Sequence, residues 1–300
     1  MRWIAEKIAF ANTMRSHITQ LILTALNRPI ESISPIGGGS IAVSHRVTME
    51  DGAQYFVKVS PQHTDMFLKE ANGLQELNNA HVFRLPEVIA VSNTILILEF
   101  LPAATPEHRT QFFEQFGKQF AELHRTAGTQ FGFYENNYIG STPQLNVPQK
   151  KSWKEFFFVH RLEFQFRLAE QNGYAHQDIA VLFHRLEKSF DRMIPDDGEP
   201  PALLHGDLWN GNFLCTTNDI PVLIDPAVYY GHREADVAMT RLFGGFNEAF
   251  YRSYNESYPL NDEWERRMDL YALYHLFNHL NLFGEGYSSQ VYESLKKLLK

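Results

Sequence analysis

The sequence predicts an α+β fold of two lobes: a small N-terminal lobe on an antiparallel sheet, and a larger, mainly helical C-terminal lobe. Three observations carry this reading. Up to about position 101, short apolar runs alternate with Gly, Pro and Asp punctuation, the pattern of strands and tight turns. From about position 110, long stretches rich in Phe and Leu repeat at helical spacing. Between them, "LPAATPEHRT" holds two prolines and no periodicity, which marks a linker. The expected domains are thus 1–101, a small sheet lobe, 102–109, a hinge, and 110–300, a helical lobe.

In chain order, the first thirty residues read as helix, stopped at "NRPI" because Pro29 cannot continue one. "ISPIGGGSIAVSHRVTM" and "AQYFVKVS" are β-rich and meet at Asp51-Gly52, a hairpin turn pair. "TDMFLKEANGLQELNNA" places Met66, Ala71, Leu74 and Leu77 on one helical face, with Thr64 or Asp65 as N-cap. Two more strands follow near "EVIAVS" and "TILILEF". Beyond the linker, "QFFEQFGKQFAELHR", "KSWKEFFFVHRLEFQFRLAEQ", "HQDIAVLFHRLEKSFDRM" and a stretch from Glu263 to about Phe283 are amphipathic helices. They are interrupted by "LLHGDLWNGNFL" and "VLIDPAVYYGHREADVAM".

Composition bounds the function. Three hundred residues with 44% hydrophobic content support a large core, and a net charge of -8 argues against nucleic acid or an anionic membrane as partner. Cys215 is the single cysteine, so there is no intramolecular disulfide and no four-cysteine zinc site. A reducing, cytoplasmic setting fits. The apolar run "ITQLILTAL" is too short to span a bilayer, and no signal peptide or anchor is read.

The chemistry starts at "LLHGDLWNGNFL". Its polar centre between aliphatic flanks has to be satisfied by hydrogen bonds, a metal or a substrate. His205-Gly206-Asp207 with Asn212 has the H-x-D-x-x-x-x-N spacing of phosphotransferase catalytic loops. There a carboxylate at Asp207 accepts the proton of an attacking hydroxyl, and the Asn212 amide oxygen faces a nucleotide-bound metal. Turn formation alone is the plainer reading of Asp and Asn. Asp225, ending the strand "VLI", is placed to hold Mg2+ against phosphate oxygens, or else is an Asp-Pro turn.

The small lobe supplies the rest. Gly37, Gly38 and Gly39, followed by Ser40, form a glycine run between strands, whose backbone N–H groups can cradle phosphate. Lys58 in "YFVKVS" sits among apolar strand neighbours, and Glu70 in the next helix can pair with it and steady it on the α- and β-phosphates. By analogy with a kinase hinge, the Glu99 carbonyl and Leu101 N–H meet the adenine edge. Each feature has a bland reading taken singly; their order along the chain makes that reading untenable. The cofactors implied are ATP and Mg2+.

Together, "LLHGDLWNGN", "IDPAVYYGHREADVAMTRLFGGF", "LYHLFNHLNLFGEGY", "GGGSI" and "FVKVS" resemble the fructosamine kinase (ketosamine 3-kinase) family, bacterial branch, over residues 33–287. The resemblance implies a protein-kinase-like, aminoglycoside phosphotransferase-like fold. It also implies Mg·ATP-dependent phosphorylation of the 3-hydroxyl of sugar ketoamines, free or on glycated lysines, whose unstable product releases the amine. On that carry-over, Asp207 is the base, Asn212 and Asp225 are metal ligands, and Lys58 and Glu70 are the phosphate pair. Trp209 either faces the sugar or is a buried tryptophan needing an N–H partner. His232, Arg233 and Glu234 either reach substrate or brace the loop, Asp236 hydrogen-bonds the catalytic-loop backbone, and His279 either lines the acceptor pocket or is a core histidine. Ser40 stands where some relatives carry a cross-linking cysteine, so a monomer is expected. The alternatives are a kinase for another hydroxylated amine, of aminoglycoside or choline type, and a nucleotide-binding pseudokinase.

Overall fold

The computed structural model describes residues 18–37, 43–60, 64–194 and 198–300. The chain divides into two compact units, residues 1–72 with 86–102, and residues 73–85 with 103–300.

The smaller unit holds helix α1 (residues 18–26) and a five-stranded antiparallel sheet. Its strands are β1 (Ile30–Ile36), β2 (Val43–Met49), β3 (Gln54–Val59), β4 (Val88–Val91) and β5 (Ile95–Glu99), in the order β1-β2-β3-β5-β4. The β2–β3 hairpin turns where the sequence places it. Gly52 adopts φ +83°, and Asp51 accepts the Ala53 N–H at 3.1 Å. One face of the sheet is sealed by α1: Ile18 and Ile22 pack on Val47, Met49, Val57, Val59, Ile95 and Ile97. Burying such side chains is worth about 1.5–3 kcal/mol each.

Helix α2 (Met66–Asn79) starts in the smaller unit, but from Gly73 onward it groups with the larger one. A Cβ at Gly73 would already touch Val228 at 3.3 Å, and Glu76 accepts the Tyr230 hydroxyl at 2.8 Å.

The larger unit is helical, with short hairpins. In chain order it comprises α3 (Arg109–Leu123), β6 (Asn137–Ile139), β7 (Thr142–Gln144), α4 (Trp153–Phe157), α5 (Phe164–Gln171), α6 (Gln177–Ser189) and β8 (Ala202–Leu204). There follow β9 (Phe213–Thr216), β10 (Ile220–Leu223), β11 (Tyr229–Gly231), α7 (Glu234–Leu242), α8 (Glu248–Ser257), α9 (Trp264–Phe283) and α10 (Ser288–Leu298). A π-helical stretch, Phe158–Glu163, joins α4 to α5, so the long helix read from sequence is continuous but widened in the middle. The pairs β6–β7, β8–β11 and β9–β10 are antiparallel.

A phenylalanine core holds α3 against α8. Phe112, Phe113, Phe116 and Phe120 of α3 meet Phe213, Phe246 and Phe250, with most ring centroids 5–6 Å apart. The approach is close because Gly117 has no side chain: a Cβ there would lie 2.2 Å from the Phe250 carbonyl oxygen and 2.3 Å from Ser253 Oγ. Gly117→Ala is therefore expected to lower the free energy of unfolding by about 1–3 kcal/mol, the usual cost of overpacking, read from urea unfolding. A gain from the better helix former would show that the helices are not in this contact.

Candidate active site

The polar segment after β8 is a tightly wired loop. Gly206 takes φ +81°, and a Cβ on it would sit 2.0 Å from the Ala227 carbonyl oxygen, so only glycine fits. Two successive N–H groups, His205 and Gly206, donate to the two oxygens of Asp236, at 2.7 and 2.8 Å. The Asp207 N–H donates to His205 Nδ1 (3.3 Å). His205 Nε2 must then carry the proton, and it donates to the Ile224 carbonyl at 3.0 Å.

Asn212 closes the loop. Its Nδ2 donates to the Asp207 carbonyl at 2.8 Å and to Asp207 Oδ2 at 3.0 Å. With Nδ2 committed inside the loop, Oδ1 is the end left to ligate a cation. The Ile224 N–H donates to the Asn212 carbonyl at 3.1 Å, which ties the residue before Asp225 to the loop. Asp225 itself is left-handed, φ +53°, a conformation disfavoured outside glycine. The Ala227 N–H holds the next turn to the His205 carbonyl at 2.9 Å.

Burial pushes the Asp207 carboxyl well above the usual carboxylate range; the Asn212 hydrogen bond opposes this, and the charges of Asp225 and Asp236 add to it. For Asp236, 1% exposed, burial acts in the same sense but is outweighed. The hydrogen bonds it accepts from the His124 ring and the Gly206 N–H hold it below the ordinary value.

The oxygens of Asn212 and Asp225 suit a hard cation such as Mg2+, which takes one or two carboxylates and completes its shell with phosphate and water. What fits is that Asn212 has only its Oδ1 left over once Nδ2 is committed to Asp207, and that Asp225 follows the residue tied to the Asn212 carbonyl. Among the described residues there is no group of three or more His, Cys, Asp or Glu that could hold a metal. The His275 and His279 pair on α9 therefore has no third ligand there.

In the smaller unit Lys58 lies on β3, 8% exposed, with Nζ 2.8 Å from Glu70 Oε1 of α2. β3 delivers the ammonium and the first turns of α2 deliver its counter-charge. β5 ends at Glu99, whose N–H donates to the Glu87 carbonyl at 2.9 Å, and Leu101 follows in irregular backbone. Among the described residues nothing lies within 4 Å of a Cβ built on Gly37; Gly38, Gly39 and Ser40 lie outside the described residues.

The five substrate candidates separate. Arg233, 2% exposed, is bound by Glu199 at 2.7–3.2 Å, donates to the Tyr258 and Pro259 carbonyls and lies over the Tyr258 ring. Its donors are thus used within the fold. His232 is buried beside Glu199 (3.6 Å) and stacked on Tyr271. Glu234 pairs with both ends of the Arg267 guanidinium at 2.5 and 2.7 Å. Trp209, by contrast, is 37% exposed and meets Phe243 edge-on. His279 is half-buried, donates from Nδ1 to the His275 carbonyl at 2.9 Å, and touches Phe243.

His124 is the residue that sequence reading missed. It is 2% exposed, with Nδ1 2.8 Å from the Tyr254 hydroxyl and Nε2 3.3 Å from Asp236 Oδ2. Burial lowers its pKa and Asp236 only partly compensates, so the neutral ring donates from Nε2 and accepts from Tyr254. One signal was available. His124 continues the Phe113, Phe116, Phe120 stripe of α3, and a polar group on an apolar face needs a buried partner.

Three comparisons bear on this site. The family model for fructosamine kinase matches residues 14–300. A Synechocystis protein named as a probable ketoamine kinase is 38% identical over 292 residues, covering 94% of this chain and 96% of that protein. A chloroplastic protein-ribulosamine 3-kinase of Oryza sativa subsp. japonica is 37% identical, covering 94% and 83%. A crystal structure from Thermobifida fusca, named as a fructosamine-3-kinase, superposes with a TM-score of 0.84 at 32% identity, covering 93% and 97%.

A pH dependence of stability follows from the buried imidazoles. Burial, chiefly, pushes His275 down to about 3, and His124 and His205 downward as well. Between the unfolded value near 6.5 and the depressed folded value, the unfolded chain binds more protons, so stability falls as pH falls. Asp207, raised in the fold, works in the opposite direction above its unfolded value. A comparison that isolates His275 is therefore needed. From pH 7 to pH 5, His275→Asn is expected to lose about 2 kcal/mol less unfolding free energy than the parent chain, measured by urea titration. Equal slopes would rule out a neutral buried imidazole.

Proposed function

The chain belongs to the fructosamine kinase family, and on that premise we propose that it is an ATP- and Mg2+-dependent kinase for the 3-hydroxyl of sugar ketoamines. The single observation that carries the reading is the Asp207–Asn212 loop, pinned through Ile224 to Asp225. It brings a candidate proton acceptor and the oxygen donors of a phosphate-bound cation into one segment. The relatives named for ketoamine and ribulosamine substrates support the acceptor class.

ATP supplies the phosphoryl group, and Mg2+ offsets the charge that develops on its oxygens. The protein's own residues do the rest. Asp207, made more basic by burial and its acidic neighbours, takes the proton of the acceptor hydroxyl, for which a pKa shifted toward neutrality is suited. Asn212 keeps one Asp207 oxygen occupied and so sets the direction of the other. Asn212 Oδ1 and Asp225 would hold the cation. Lys58, steadied by Glu70, meets phosphate oxygens, with the glycine run from Gly37 as a further donor. Glu99 and Leu101 present backbone groups to adenine, and Trp209 offers its ring to the sugar. The product, a 3-phosphate beside the ketoamine carbonyl, loses inorganic phosphate by elimination, and water then hydrolyses the resulting imine to release the amine; the biological outcome is deglycation of amines or of protein lysines. No helix among the described residues is long and apolar enough to cross a membrane, and small-molecule acceptors in the cytoplasm are the setting we propose, with the chain acting as a monomer.

The test is Mg2+-dependent ADP release from ATP with fructose-lysine, ribulose-lysine, an aminoglycoside and choline as acceptors. Turnover is expected on the ketoamines; turnover on choline or the aminoglycoside alone would overturn the acceptor assignment. Asp207→Asn is expected to lower kcat about 10²–10⁴-fold, the usual contribution of general base catalysis, while ATP binding by calorimetry is kept. Full activity in that variant would remove Asp207 as the base.

A further inference from the structure

The loop after α7 makes a sharp turn, with Gly244 at φ +70° and Gly245 at φ +98°. The turn sends its two phenylalanines to different places. Phe246 enters the α3–α8 core against Phe113, Phe116 and Phe250. Phe243 stays out, 36% exposed, and meets Trp209 of the catalytic loop with centroids 6.0 Å apart. Trp209 can lie there because position 211 is glycine: a Cβ would approach the indole to 2.5 Å.

From Phe243 the rings continue. His279 follows at 4.7 Å, Phe283 and Tyr287 at 5.4 and 5.2 Å from His279, and these two lie 6.1 Å from each other. Phe283 is 50% exposed, the opposite of what its type prefers. Burial lowers the His279 pKa, so none of these side chains carries a full charge at neutral pH. The result is a continuous run of aromatic rings that begins two residues after Asp207, exposed at Trp209, Phe243 and Phe283 and half-buried at His279 and Tyr287. Exposed apolar surface of this kind marks a contact site rather than a solvated face.

We propose that Phe243, His279, Phe283 and Tyr287 form a subsite for the amine substituent of the acceptor, and that it selects an apolar substituent over a small charged one. The inference rests on Asp207 acting on a ketoamine hydroxyl. In a ketoamine the reacting 3-hydroxyl and the amine-bearing carbon are two carbons apart. With the sugar at Asp207 and Trp209, the substituent therefore leaves along the surface that starts at Trp209. Its contacts there are ring faces and edges, each worth a few-fold in affinity.

The experiment compares two acceptors with the same sugar, the fructose ketoamines of benzylamine and of glycine. The expected kcat/KM is about tenfold or more higher for the benzylamine conjugate. In Phe283→Ala the ratio of the two values is expected to fall about fivefold, as one ring contact is removed; Phe283→Leu, read in parallel, covers the case in which the alanine variant fails to fold. Equal kcat/KM values in the parent chain, or a ratio unmoved by a folded Phe283 variant, would overturn the subsite. So would a Phe283 variant that changes the oligomeric state by size exclusion and leaves the ratio alone, since the rings would then face another copy of the chain. Turnover of the glycine conjugate without preference sinks the subsite only. Absence of turnover on every ketoamine, with ATP still bound, sinks the proposed function and the subsite together.

Discussion

The Asp236 carboxylate is the constraint on which the rest of the site depends. It accepts two consecutive backbone N–H groups from a loop that has no helix or sheet partner of its own at that point. Buried donors left unpaired would cost about 1–3 kcal/mol each, so the loop conformation and the carboxylate are a unit. Once His205 and Gly206 are held, His205 is oriented toward the Ile224 carbonyl, Asp207 follows in its fixed turn, and Asn212 can close back on it. Behind Asp236 the support continues through His124 to Tyr254, which also receives Arg233, itself neutralised by Glu199. The chain of donors and acceptors alternates correctly along this path, as a low-dielectric interior requires.

Three carboxylates near the loop differ because their surroundings differ. Asp236 is buried among donors and is held ionised. Asp207 is crowded by acidic neighbours with one side-chain donor, and its proton affinity is raised. Asp225 sits on strained backbone, yet its neighbours are firmly held. Gln144 Nε2 donates to the Ala227 carbonyl and Asn137 Nδ2 to the Val228 carbonyl, at 2.9 and 2.8 Å. Tyr274 and Asn146 tie those amides in turn, and the buried Arg161 guanidinium, boxed by Tyr229, Phe156 and Tyr274, anchors Asn146. The separation of environments is what lets one small region present both a fixed anion and a basic one.

Much of this was legible from residue order alone. The Asp51-Gly52 hairpin, the strand carrying Lys58, the helix carrying Glu70 and the spacing from His205 to Asn212 are local patterns, and local patterns survive being read one dimension at a time. Even Asp236, thirty residues from the loop, was expected to bind its backbone. The short β6–β7 hairpin and helices α8 and α10 were not called. Strands of three residues carry too little periodicity, and the amide ladder of Asn137, Gln144 and Asn146 resembles an ordinary polar loop until its partners are known.

The sequence by itself determined the class of fold and the family, because those depend on periodicity and on residue types at fixed spacing, and the same spacing marked the side chains proposed for phosphoryl transfer. Tertiary structure alone decided the partners. It put His124 of α3 against Asp236, turned Arg233 inward onto Glu199, and left Phe243 outside while Phe246 went in. It also had Asp219, in the β9–β10 turn, accept the N–H groups of Glu107 and His108 and so cap α3 from more than a hundred residues away, where His108 makes no side-chain cap. The physical reason is clearest at His124 and Arg233. A buried donor, acceptor or charge demands a partner, but which group answers depends on what packing brings within hydrogen-bond reach, and no spacing along the chain encodes that distance.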